Sequence, residues 1–260
     1  MKTFTILGTG WLGEKLAQRL KDDYKVKVSI RDEKKSEIYK NLGFSSYILN
    51  EYNFSFLDEL LDTNYLFINY PPSKFENYLT FLEKIYNHPK IKNIEKIIFI
   101  SSTSVYPDIE ENFDEDFIIK NPSNKMVLDA ENLVLNKTHI IFRASGLLAE
   151  DRIAGRRLAN KIVDFPKTKI NFVHRNDVIN ATIFAIENDL NGIFNLCSKQ
   201  HPTKEELYSF NAKKYNFEKP IFSENEFSLN RIIDGSKIEK LGFNYQYFDA
   251  FSFQVLPKAL

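Results

Sequence analysis

Cysteine occurs once in the 260 residues, at Cys197, so no disulfide can close within the chain, and a lone thiol suits a reducing compartment. Histidine occurs four times, scattered, and gives no metal-ligand spacing with that one cysteine, so no metal is expected. Neither sign of charge dominates: 35 Lys and Arg face 35 Asp and Glu. That balance argues against a general electrostatic grip on nucleic acid or on an anionic membrane. No apolar run approaches the about 20 residues that a membrane-spanning helix needs. The first residues show no basic region followed by an apolar one. The expectation is a cytoplasmic protein whose partner is a small molecule. No internal repeat, low-complexity stretch or linker divides the chain, and its length suits one globular unit with an appended lobe.

Apolar residues are plentiful at 43%, and 23 Phe and 13 Tyr make the core aromatic-rich. Strand and helix patterns alternate. Strands are read at Thr3–Leu7, Lys25–Ile30, Ser45–Leu49, Tyr65–Asn69, Lys96–Ser101, His139–Phe142 and Gly192–Leu196. Helices are read at Trp11–Lys21, Glu33–Leu42, Lys74–Tyr86 and Lys125–Leu135, with one running to Glu187 and one over Thr203–Tyr215. Thr203 and Glu206 have capping-box spacing. The run KIIFIS is apolar on both alternating faces, which places it inside a parallel sheet. The alternation implies a doubly wound parallel α/β sheet, the Rossmann arrangement.

Only nine glycines are present, yet three fall at Gly8, Gly10 and Gly13, after a strand and opening a helix. Each has a physical task in a dinucleotide fingerprint. Gly8 permits the tight turn, Gly10 lets a pyrophosphate approach bare backbone, and Gly13 lets the helix pack against the strand. The free amides of the helix start, at Trp11, Leu12 and Gly13, and its partial positive charge suit phosphate. At the end of the second strand, an acidic residue favours NAD and an arginine accommodates the 2′-phosphate of NADP. Arg31 directly follows the last apolar residue there, and Asp32 is placed to cap the next helix. The reading is therefore NADP, with NAD the alternative.

From SSTSVY onward the chain resembles the extended short-chain dehydrogenases, the NAD(P)-dependent epimerase/dehydratase family, and most closely its small atypical branch. The resemblance runs nearly end to end through the glycine loop, VSIRD, FINYPPS, IIFISSTSVYPD, DAENLVL, FRASGLL, INFVHRNDVINATIFAIEN, GIFNLCS and NRIIDGSKIEKLGF. It implies a Rossmann core over 1–149 and 170–200. A small, mainly C-terminal lobe over 150–169 and 201–260 would cover the substrate, with a cleft between the two. It further implies cofactor contacts from Pro71 and Ser101 and substrate contacts from Thr103, Ser145 and Arg231. A homodimer through the Lys125–Leu135 helix is also in keeping with it.

Family chemistry uses a Tyr and a Lys four residues apart, the lysine lowering the tyrosine pKa for proton exchange during hydride transfer. Aligned from Glu131, those positions hold Ser123 and Val127, and neither can perform the role. Three other Tyr-x-x-x-Lys pairs exist: Tyr70 with Lys74, Tyr86 with Lys90, and Tyr215 with Lys219. Prolines interrupt the first two, and the third lies late in the covering lobe. Ser102 matches the family serine and Tyr106 follows it, so these two are the catalytic candidates. Hydroxyls at a strand end also cap turns, and a tyrosine there often packs. His174 is read as a satisfied turn histidine. Two functions follow. One is an oxidoreductase or epimerase acting on a sugar-like or otherwise hydroxylated small molecule. The other is a non-catalytic NADP(H)-binding sensor or scaffold.

Overall fold

The structure is a computed structural model that describes residues 1–225 and 227–252. Its elements run β1 (Thr3–Leu7), α1 (Trp11–Leu20), β2 (Lys25–Ile30), α2 (Ser36–Asn41), β3 (Ser45–Ile48), α3 (Leu57–Leu61), β4 (Tyr65–Ile68) and α4 (Tyr78–Tyr86). There follow β5 (Lys96–Ser102), β6 (Asn112–Phe113), α5 (Lys125–Val134), β7 (Ile140–Ala144), β8 (Gly146–Leu148), β9 (Ile162–Val163), β10 (Phe172–His174) and α6 (Arg175–Glu187). The last are β11 (Gly192–Leu196), α7 (Lys204–Lys214), β12 (Ile221–Phe222), β13 (Ile232–Ile233) and α8 (Ser236–Glu239).

One seven-stranded sheet has the order β11-β7-β5-β4-β1-β2-β3. The pairs β1–β2, β1–β4, β2–β3 and β4–β5 are parallel. This is the doubly wound Rossmann order 3-2-1-4-5-6 with one further strand. Its strand order reverses between β1 and β4, the switch point where such sheets place their ligands. The first four residues of β5 are buried because Ile97, Ile98 and Phe99 meet apolar neighbours on both sides of the sheet. Each fully buried Leu, Ile or Phe of this kind contributes about 1.5–3 kcal/mol. Against one face pack Leu82 and Ile85 of α4 and Ala130 and Val134 of α5, with Leu57, Leu60 and Leu61 of α3.

The chain falls into two compact units. The first comprises Met1–Ser102, Asn124–Phe142 and Thr182–Ile193. The second comprises Thr103–Ser123, Arg143–Ala181 and the described residues from Phe194 on. Within the second, three short parallel pairs form: β8 with β10, β9 with β12, and β6 with β13. The last eight residues of the 201–260 stretch, and Glu226, lie outside the described residues. Among the described residues no helix is long and apolar enough to cross a membrane.

Two helix expectations shift. The helix read from Lys74 begins at Tyr78, because Pro72–Lys74 forms a 3-10 turn and Phe75 returns to extended backbone. The helix read over Glu33–Leu42 splits into a 3-10 turn at Glu33–Lys35 and α2. Asp32 caps that turn as its position suggests, accepting the Lys34 amide at 3.0 Å.

Candidate functional site

The glycine loop joins β1 to α1 at the point where the sheet reverses. Gly8 has φ +86°, a conformation that L side chains rarely adopt. A Cβ there would lie 2.4 Å from the carbonyl oxygen of Asn69, beyond β4. A Cβ at Gly13 would meet Gly8 O at 2.9 Å and Ile6 Cγ2 at 3.0 Å. At Gly10 the nearest atom would be Gly8 O at 4.0 Å, an ordinary contact, so a Cβ at this one of the three meets no obstruction. Two glycines thus serve packing, and the third leaves a gap beside backbone. Gly10 is also the N-cap of α1 and supplies no side-chain hydrogen bond to the first turn of the helix. A phosphate oxygen fits such a gap.

A polar brace holds the turn. The Gly8 amide donates to Ser29 Oγ at 2.9 Å, and that oxygen shares a 2.5 Å hydrogen bond with the Tyr70 hydroxyl. Tyr78 Oη donates to the Tyr70 carbonyl at 2.9 Å. Tyr39 Oη donates to Thr9 O at 3.2 Å and to Glu14 Oε2 at 3.1 Å. Ser29 and Tyr70 are buried, and burial pushes the Tyr70 phenol well above its usual range. Tyr70 is thereby a structural tyrosine, and Lys74 shares no helix with it. The sequence offered a signal for Ser29, a hydroxyl inside the apolar run VSI, but none for its partner.

At the C-terminal ends of β4 and β5, a cavity of about 180 Å³ opens within the first unit. Pro71, Pro72, Phe99, Ser101, Ser102 and Val127 are among its walls. Pro71, Ser101 and Ser102 are therefore brought together. The Ser101 hydroxyl is spent inside the fold, donating to Glu131 Oε2 of α5 at 2.7 Å in a buried pair. Ser102 is half-buried on the cavity wall. Val127 of α5 adds an apolar side chain to that wall. The sequence reading did not single out Glu131 for any contact.

Arg31 extends from the end of β2, 40% exposed along its side chain. Its guanidinium lies 4.5 Å from the centre of the Phe75 ring, and Nη2 lies 3.8 Å from Glu51 Oε2. Neither Phe75 nor Glu51 was anticipated, because both come from loops distant in sequence.

The remaining candidates belong to the second unit. Tyr106 is placed differently from the catalytic expectation. It is fully buried and stacks on Phe113, with ring centres 5.0 Å apart. Its hydroxyl is 2.8 Å from Asp114 O, 2.8 Å from Asn195 Oδ1 and accepts from Arg143 Nη1 at 2.9 Å. Burial raises its pKa, the reverse of what a proton-transferring phenolate needs, although Arg143 opposes the rise. Arg231 donates through Nη1 to Asp108 Oδ1 at 2.6 Å and to Ser123 Oγ at 3.2 Å, and through Nη2 to Thr103 O at 3.4 Å. Arg231, Thr103 and Ser123 thus stand together. Ser145 is buried beside the Cys197 thiol, and its amide donates to Leu196 O at 3.0 Å. His174 accepts the Asn176 amide on Nδ1 at 3.1 Å, as expected of a turn histidine.

No protein-family model matches the sequence. A Methylobacillus flagellatus protein provisionally described as an NAD-dependent epimerase/dehydratase superposes with a TM-score of 0.77 at 20% identity, covering 95% of this chain and 94% of that one. UDP-glucuronic acid 4-epimerase from Bacillus cereus in complex with NAD gives 0.74 at 17% identity, covering 96% and 94%. Protein YeeZ of Escherichia coli K12 is 32% identical over 268 aligned residues, covering 96% of this chain and 97% of that protein. Strand order, glycine turn and these superpositions define a doubly wound Rossmann-type α/β protein. Within that class the chain belongs to the family of protein YeeZ.

Proposed function

We propose that this chain binds a pyridine dinucleotide, with its pyrophosphate over Gly10 and its adenosine end at Arg31. In this reading it is an oxidoreductase or epimerase of the atypical short-chain kind that lacks the Tyr/Lys dyad. The observation that carries the reading is the split among the three glycines: Gly8 and Gly13 are blocked by their own fold, and a Cβ at Gly10 meets no obstruction. The fold shared with a UDP-glucuronic acid 4-epimerase that binds NAD supports it, and points to a nucleotide sugar or similar hydroxylated molecule as substrate.

The dinucleotide, when bound, supplies hydride transfer at its nicotinamide. The chain's own residues do the rest. The α1 amides face the phosphates, and Arg31 gives the 2′-phosphate of NADP a guanidinium fork. Pro71, Ser101 and Val127 line the cavity that would hold the nicotinamide end. Ser102, on the same wall, offers a hydroxyl to a substrate oxygen. Arg231, with Thr103 beside it, would meet an anionic substrate group in exchange for Asp108, and Ser145 would contribute from the same unit. Tyr106 acts as a packed strut in this reading.

A non-catalytic NADP(H) sensor or scaffold is the second reading. It is favoured by Val127 and Ser123 at the dyad positions and by the buried, fully engaged hydroxyl of Tyr106. Nicotinamide fluorescence separates the two. NADPH and NADH are titrated into the protein, and pooled sugar nucleotides and keto-sugars are then added. Oxidation that drops at least about tenfold in Ser102→Ala supports the enzyme. Binding without turnover on every pool supports the sensor, and binding of neither nucleotide sinks both.

A further inference from the structure

Arg31 does not stand alone at the adenosine end. Glu51, in the loop after β3, reaches it with Oε2 at 3.8 Å and is itself only 13% exposed. The other carboxylate oxygen, Oε1, accepts the Glu76 amide at 2.8 Å and the Asn77 amide at 3.1 Å, just before α4. Two backbone bonds therefore fix the carboxylate. Next to Glu51, Asn50 Nδ2 donates to the Arg31 carbonyl at 3.1 Å, which ties the two loops together. Phe75, one residue before Glu76, has its ring centre 4.5 Å from the guanidinium. A guanidinium in contact with both an aromatic ring and a fixed carboxylate is pre-positioned and partly neutralised at once.

We infer that Glu51 is a specificity-determining residue that sets the NADP-to-NAD preference by holding and partly neutralising Arg31. This rests on the dinucleotide reading and deepens it. A 2′-phosphate must share Arg31 with a carboxylate that cannot swing away, whereas the neutral 2′-hydroxyl of NAD has no such competitor. The chain therefore takes NADP less selectively than a lone arginine would. Glu51 does not touch the reacting atoms, so its effect runs through Arg31 and appears only in the ratio of the two affinities.

The test is a fluorescence titration of NADPH and NADH against wild type, Glu51→Gln, Arg31→Ala and the double variant. Glutamine keeps an oxygen for the Glu76 and Asn77 amides and removes only the charge. Glu51→Gln is expected to tighten NADPH about tenfold, about 1.4 kcal/mol, with NADH changed less than about twofold. In the Arg31→Ala background the same substitution is expected to leave both affinities unchanged. A preference unmoved by Glu51→Gln overturns the inference, as does equal loss of both nucleotides, which marks a merely structural carboxylate. A gain for NADPH that persists without Arg31 overturns the route through the guanidinium. Wild type that binds neither nucleotide overturns the dinucleotide reading itself, whereas tight wild-type binding with an unmoved ratio overturns only this step.

Discussion

Three glycines within six residues carry three unlike physical burdens, and single substitutions separate them. Gly8 has a positive φ and a carbonyl oxygen 2.4 Å from any added Cβ. Gly8→Ala is expected to lower stability by about 1–3 kcal/mol and to weaken dinucleotide binding with it. Gly10 has extended backbone, and a Cβ there would make only an ordinary contact, with Gly8 O at 4.0 Å. Gly10→Val is expected to cost no more than about 1 kcal/mol in urea unfolding, the N-cap preference for glycine over valine, yet weaken NADPH binding at least about a hundredfold, because its methyl groups would fill the phosphate gap. A Gly10→Val protein that binds NADPH as tightly as wild type would remove the phosphate from this loop. The brace beneath the turn is tested by Ser29→Ala, which removes the oxygen that the Gly8 amide and the Tyr70 hydroxyl share and leaves the two only each other. Buried groups left without partners cost about 1–3 kcal/mol each. The variant should unfold at clearly lower urea, and Tyr70→Phe, which leaves Gly8 bonded to Ser29, should cost less.

At the level of elements, the legible parts were those with a strong local period. β1, β2, β4, β5 and β11, together with α1, α5 and α7, lie where apolar alternation and caps put them, within a residue or so. The Thr203–Glu206 capping box is present in both directions, with Thr203 Oγ1 accepting the Glu206 amide at 3.2 Å and Glu206 Oε2 accepting the Thr203 amide at 2.8 Å. Thr203→Ala is expected to cost about 1 kcal/mol in urea unfolding, Thr203→Ser almost nothing, and neither should change NADPH affinity. The helix start before Tyr78 was misplaced because two prolines and an extended Phe75 act over longer range than an apolar stripe reveals. The five-residue α3 and the two-residue strands are too short to carry any period. The candidate site divides in the same way. Glycine spacing and Arg31 are local and were readable. Ser29–Tyr70, Ser101–Glu131 and Arg31–Glu51 are pairings across 41, 30 and 20 residues, and only the folded sheet brings their members together.

For the molecule as a whole, balanced charge hides an opposed pair of buried titrating groups in the second unit. Asp177 is fully buried, and its carboxylate accepts the Gln246 amide at 2.9 Å and the Tyr247 amide at 3.0 Å. Burial raises its pKa from 3.8 to about 6, the two amides pulling the other way. His174, three residues earlier, stacks on the Tyr247 ring at 3.8 Å, with Nε2 3.6 Å from Glu150 Oε2. Burial, reinforced by the neighbouring Arg175, lowers its pKa from 6.5 to about 4, while Asp151 opposes. Between about pH 4 and 6 the folded chain holds a proton on Asp177 that the unfolded chain releases, so this group loses stabilising effect as pH rises. Over nearly the same interval the unfolded chain protonates His174 and the folded chain does not, so this group loses stabilising effect as pH falls. The two slopes cancel in the intact protein, and each variant should uncover the other. Asp177→Asn is expected to become acid-sensitive relative to wild type below pH 6.5, by up to about 1.4 kcal/mol per pH unit. His174→Phe, which keeps the stack on Tyr247, should instead lose stability relative to wild type as pH rises from 4 to 6. Urea midpoints measured every half unit from pH 4 to 7.5 read both differences against wild type, which removes the titration of every other group. Parallel profiles for wild type and both variants would mean that neither residue is buried in the state assigned to it.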